Sequence, residues 1–159
     1  MKQRKVAGLS GADLRGKCLV RQATDDGCGP ACGEMLLRDR GFDVDQQTIA
    51  DGLPLPATAE HLAARMRALS TIPWIGAFIS IENGASWDFV AALTAEQGSW
   101  AALLEPGGFR ATGHWVVVDE VSIEGIVTLR DPRGEVVLQP MEQFLLLWRY
   151  TVMVIEEVP

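Results

Sequence analysis

Apolar positions fall into short, separate groups along this chain. The longest, around Trp115–Val118 and Phe144–Trp148, are of strand size. Residues 1–20 show no strong periodicity and read as a lead-in, with one short strand near Cys18–Arg21. Residues 22–29, Gln-Ala-Thr-Asp-Asp-Gly-Cys-Gly, form a polar loop punctuated by glycine. Pro30 then opens a helix, where its missing N–H costs nothing. Met35, Leu36 and Leu37 supply the apolar face of that helix, and Gly41 is its stop signal. A second, short helix is expected over Asp45–Asp51. Gly52–Pro56 is a turn-rich connection. A third helix, about Thr58–Leu69, carries Leu62, Met66 and Leu69 at helical spacing.

The pattern then changes period. Pro73–Ile81 alternates Ile75, Ala77, Ile79 and Ile81 as a strand does, and Asn83-Gly84 is a turn. Trp87–Glu96 reads as a helix and Trp100–Leu104 as a strand. His114–Val121 and Ile126–Arg130 are two strands joined across Ser122–Gly125. Asp131-Pro132-Arg133-Gly134 is a turn, and Glu135–Leu138 is strand-like. Met141–Leu146 fits a short helix and Tyr150–Ile155 a closing strand. Helices first and an antiparallel sheet later predict an α+β domain. The chain divides into a lead-in over residues 1–17 and one domain over residues 18–159.

Composition agrees with a single packed domain. The chain has 159 residues, 48% apolar and 22% charged, which excludes a mainly disordered or collagen-like polymer. No apolar run reaches the roughly 20 residues that span a bilayer. The basic start, Met1-Lys-Gln-Arg-Lys, is followed by no apolar segment, so no signal peptide is expected. A net charge of −7 argues against nucleic-acid binding through a broad basic face. Three cysteines, Cys18, Cys28 and Cys32, give no disulfide framework and fit a reducing compartment. The C-x3-C spacing without a second pair does not suggest a metal site, and no cofactor is expected.

Candidate chemistry gathers at three places. A thiol is a nucleophile only as thiolate, and a helix start favours negative charge through its free N–H groups and dipole. Cys28 sits just before Pro30, with Gly29 keeping the backbone beside it small. It reads equally as a nucleophile or as a small buried cap residue. His114 opens an apolar strand, where its ring can be aimed across a groove, although a lone strand-end histidine is more often structural. The Asp131 segment alone is simply a good turn. Together they change the picture. Pairing about Ser122–Gly125 brings His114 and Asp131 to the same end of neighbouring strands, where the carboxylate can fix one tautomer of the imidazole. A helix-start cysteine with an acid-oriented histidine is a nucleophile–base–orienter set. Gln22 is an amide near enough in sequence to donate to an oxyanion. The rival base, His61, lies in the Thr58–Leu69 helix beside Glu60 and reads as a surface residue.

These residues resemble a known family. Gln22-x5-Cys28-Gly29-x-Ala31-Cys32, Gly113-His114-Trp115-Val116-Val117, Asp131-Pro132-x-Gly134 and Phe144-x3-Trp148 occur in the order and spacing of the bacteriocin-processing, papain-like cysteine peptidases. Those are best known as N-terminal domains of double-glycine peptide exporters. The resemblance covers residues 18–155. It implies a papain-like fold, with a helical lobe bearing the cysteine against an antiparallel β lobe bearing the histidine and acid. It further implies Cys28 as nucleophile, His114 as base, Asp131 as orienting acid and Gln22 at the oxyanion hole, with Cys32 not catalytic. No exporter membrane segment or ATPase is expected after Pro159. The details around Arg21-Gln-Ala-Thr, Met35-Leu-Leu-Arg-Asp-Arg-Gly and Gly113-His-Trp-Val-Val-Val-Asp are similar to papain-fold toxin domains of bacterial polymorphic effectors. That branch implies an endopeptidase delivered into rival cells, acting on a target-cell protein and countered by a cognate immunity protein. A leader peptidase, a non-catalytic peptide-binding relative, and an amidase, transglutaminase or deamidase on the same nucleophile logic are the alternatives.

Overall fold

A computed structural model describes residues 4–6, 16–79, 87–105 and 113–156 of the chain. Elements follow the order β1 (Arg4–Val6), α1 (Cys28–Asp39), α2 (Gln46–Ala50), α3 (Ala59–Ser70), β2 (Trp74–Phe78), α4 (Trp87–Gln97) and β3 (Trp100–Leu104). They continue with β4 (His114–Val121), β5 (Ile126–Asp131), β6 (Glu135–Pro140), α5 (Met141–Leu147) and β7 (Trp148–Ile155). The helices-then-sheet pattern is the expected α+β arrangement.

All seven strands join one antiparallel sheet in the order β1-β6-β5-β4-β3-β7-β2. β3 to β6 form a meander. The last strand, β7, inserts between β3 and β2. Helices cover both faces, so the central strands are apolar on both sides and read as runs rather than alternations. In β4, Trp115 and Val117 face a core built with α1 and α3. Val116 and Val118 face a second core with Phe144 and Met141 of α5 and Val90 of α4. Trp100, Trp148 and Phe144 pack edge-on or stacked in that second core, with ring centroids 5.7–6.4 Å apart.

Local chemistry sets the helix ends. Asp45 caps α2 by accepting from the Thr48 N–H, and Thr58 caps α3 by accepting from the His61 N–H. Gly41 follows α1 with φ +85, a left-handed turn that suits glycine. At Gly76 a Cβ would lie 2.2 Å from the Ala59 carbonyl group. That glycine is what lets the start of α3 rest directly on β2.

Three expectations need correction. Cys18–Arg21 is irregular, not a strand, and serves instead through its backbone: the Cys18 carbonyl accepts from Arg130, and the next residue, Gln22, donates its N–H to Pro132 O at 2.7 Å. The strand in the lead-in is β1, three residues on the sheet's edge. Helix α1 begins at Cys28, two residues before Pro30. Proline is still accommodated, because the first four N–H groups of a helix have no partner within it. Strand β2 ends at Phe78; Ile81 and the Asn83-Gly84 turn lie outside the described residues.

Candidate active site

Cys28 is the first residue of α1, after Gly27 at the N-cap, and is 5% exposed. No side chain caps this helix and no acidic residue lies in its first turn. The sulfur therefore sits at the positive end of the helix dipole with nothing to compete for it. A Cβ on Gly29 would approach Ala57 Cβ to 3.1 Å and Trp115 Cδ1 to 3.4 Å. Glycine there lets the start of α1 press against Trp115, whose indole N–H donates to Ala57 O at 3.0 Å. The backbone N–H of Trp115 lies 3.5 Å from Cys28 Sγ and donates to it.

His114 and Asp131 come together across neighbouring strands. Strand parity puts both on the face shared by Val116, Leu129 and Val137, and His114 Nε2 lies 2.7 Å from Asp131 Oδ1. Asp131 Oδ1 also accepts from the Arg133 N–H at 2.9 Å, a bond made inside the turn that Gly134 closes with φ +91. With Nε2 on Asp131, the other ring nitrogen is left for Cys28, which helps to raise the pKa of the imidazole.

The electrostatics are those of a coupled set. Burial alone would lower the His114 pKa, but the hydrogen bonds with Asp131 and Cys28 outweigh it and leave the ring's pKa raised. Burial alone would raise the Asp131 carboxyl, but the imidazole and the Arg133 N–H hold it below the usual carboxylate range. Cys32, fully buried one helical turn on, is pushed well up by burial, and Cys18 is raised by burial too. Both are poor nucleophiles for that reason.

Gln22 is adjacent but differently engaged. Its Nε2 donates to the carbonyls of Thr24 at 2.8 Å and Asp25 at 3.2 Å, so both amide hydrogens bind the loop leading into Cys28. Its Oε1 is buried without a partner. His61 is exposed on α3 and is not part of the cluster.

A feature that sequence reasoning missed lies at the far end of α1. The Arg130 side chain is wholly buried and donates to Asp39 Oδ2 at 2.5 Å, Asp119 Oδ2 at 2.8 Å and Cys18 O at 2.8 Å. Ser99 and Lys17 complete the set on Asp119. These two carboxylates hold the Arg130 cation against the cost of burial. One signal was available. Alternation in β5 turns Val127 and Leu129 one way and Arg130 the other, under α1, where a charge requires partners.

Two clefts flank the histidine. One, about 350 Å³, is lined by Ala57, Phe78, Leu103, Gly113 and Trp115. The other, about 340 Å³, is lined by His114, Asp131, Arg133, Val116, Leu129 and Gln143.

Comparison with known proteins bears on the fold and on the sequence as a whole. No family model matches the chain. Its sequence is 35% identical over 131 residues to Cysteine protease effector 1 of Escherichia coli O1:K1:H7, covering 82% of this chain and 25% of that protein. The chain thus spans about a quarter of the length of that relative. Among solved structures, the peptidase domain of Streptococcus ComA, a bifunctional ABC transporter, superposes with a TM-score of 0.69 at 14% identity, covering 87% of this chain and 98% of that one. A C39-like peptidase from Bacillus anthracis gives 0.66 at 15% identity, covering 98% and 100%. A double-glycine-motif protease from a transporter, solved with its leader peptide, gives 0.60 at 13% identity, covering 99% and 100%. The chain has the fold of the C39-type peptidase domains, and over 131 residues its sequence is similar to part of a cysteine protease effector.

Proposed function

We infer that this domain is a cysteine endopeptidase working through Cys28, His114 and Asp131. The observation that carries the reading is the 2.7 Å His114–Asp131 bond next to Cys28 at the start of α1, whose sulfur accepts from the Trp115 N–H. In the acylation step Cys28 gives its thiol proton to His114, its Sγ attacks the scissile carbonyl carbon, and the C=O electron pair moves onto oxygen. The N–H groups at the start of α1 face that charge. The pair then returns, the C–N bond breaks, and His114 passes its proton to the leaving amine. Water then gives a proton to His114 and attacks the thioester, which releases the acid and the thiol. Asp131 keeps the imidazole aimed and its cation stabilised. Gln22 joins as the support of the Cys28 loop, or as an oxyanion donor once an amide hydrogen leaves the loop carbonyls.

The biological setting follows the sequence relative. An effector acting on a protein inside a rival cell, with a cognate immunity protein, is the reading supported by similarity to a cysteine protease effector. Maturation of a double-glycine leader is the second reading, supported by the shared fold alone. The test is expression of the domain in bacterial cells, with detection of new protein N-termini. Wild-type protein should generate new termini and arrest growth. Cys28→Ala and His114→Ala should lose at least about 10³-fold of the cleavage rate while keeping the fold. Cleavage that survives Cys28→Ala would overturn the assignment.

A further inference from the structure

Beside the reacting groups lies a third, polar cleft of about 500 Å³, lined by Arg21, Gln22, Ala23, Thr24, Asp25 and Arg133. Its two arginines differ from the others in the molecule. Of the eight arginines with described side chains, six donate from the guanidinium. Arg38 donates to Glu34, Arg40 to Leu36 O, Arg65 to Thr48 O, Arg67 to Trp74 O, Arg130 to Asp39 and Asp119, and Arg149 to Glu105. Arg21 and Arg133 donate to none of the described residues. Both are exposed, and both face the same cleft in a chain of net charge −7.

Their placement is built rather than accidental. The Arg21 stem lies over Gly134, where an added Cβ would meet its carbons at 3.6–3.8 Å. The bond from Gln22 N to Pro132 O ties the Arg21 segment to the turn that carries Arg133. Arg133 also lines the cleft that contains His114 and Asp131, so the polar cleft starts one side chain away from the base. Asp25 is the one acidic residue lining the cleft, which leaves the pair of arginines in excess there.

We propose that Arg21 and Arg133 form a carboxylate-binding subsite that selects an acidic residue just C-terminal to the scissile bond. The proposal rests on the peptidase reading. Because His114 protonates the leaving amine, the substrate residues that follow the cut run along the His114–Asp131 cleft towards Arg133. Paired guanidinium groups match a carboxylate in geometry as well as charge.

The test is digestion of a peptide library made from a bacterial proteome, read by mass spectrometry. Asp and Glu should be enriched within the first few positions after the cut. For a cleaved peptide and its Glu→Gln counterpart, kcat/KM should differ by about fivefold to tenfold. Arg21→Gln with Arg133→Gln should erase that ratio, and Arg133→Glu should turn the preference towards Lys and Arg. Cleavage without acidic enrichment, enrichment only before the cut, or a ratio unchanged in the double variant would each overturn the subsite and leave the peptidase reading standing. A library left wholly uncut by wild-type protein would sink the peptidase reading and the subsite with it.

Discussion

The two ends of α1 carry charge clusters of opposite character. At its start, Cys28, His114 and Asp131 share few hydrogen bonds, stand beside open clefts and keep capacity in reserve. At its other end, Asp39, Arg130 and Asp119 are almost fully buried, and the guanidinium is met on both sides. In the proposed reaction the first cluster changes protonation state. The second is fixed, and joins α1 to β4 and β5 so that the first keeps its geometry. β4 and β5 supply both, on opposite faces: His114 and Asp131 on one, Asp119 and Arg130 on the other. Satisfaction of partners, more than residue type, separates a reactive cluster from a clamp.

The sharpest way to break that contrast is Arg130→Leu. It strands two buried carboxylates and should cost about 3–5 kcal/mol, read by urea unfolding. Removing Asp39 and Asp119 as well, by apolar residues of similar size, should restore most of the loss. A single variant as stable as wild type would show that the clamp is not one.

Asp131→Asn tests the reactive end. It removes the main support for the raised His114 pKa, so the ring should titrate at lower pH by NMR. Iodoacetamide labelling of Cys28 near neutral pH should slow by about tenfold for each unit lost. Stability gives an independent check on sign. A lowered Asp131 contributes above its ordinary range and loses the contribution as pH falls through its folded value. A raised His114 contributes below its ordinary range and loses it as pH rises through its folded value. The wild-type advantage over Asp131→Asn should therefore peak between the two titrations and shrink on both sides.

Gln22→Ala carries the smallest expected effect. Its amide hydrogens hold the Thr24 and Asp25 carbonyls, so loss should loosen the Cys28 loop and slow both turnover and thiol labelling. Slower turnover with unchanged labelling would favour the oxyanion role instead.

Much of this was legible in the sequence, for local reasons. The turn chemistry at Asp131–Gly134 and the apolar runs of β3 and β4 each depend on neighbours in the chain. The meeting of His114 with Asp131 followed from one hairpin. What escaped depends on distant partners. β1 is three residues of Arg-Lys-Val with no alternation to read, held by β6. Arg130 and Asp39 are 91 positions apart, and each alone reads as a charge at an element's end. Gln22 was placed in the right loop, but only the fold reveals which atoms its amide meets.

The position of β7 has a consequence for the order of assembly. Synthesis delivers α1, α3 and β2 first, yet β2 has only β7 as a sheet neighbour. The meander that carries His114 can form while the C-terminal strand is still in the ribosome. The helical half has no edge to join until Trp148–Ile155 emerges and stitches β3 to β2. β7 thus joins the strand beneath α3 to the meander that carries His114, and the sheet is continuous only once Trp148–Ile155 has emerged.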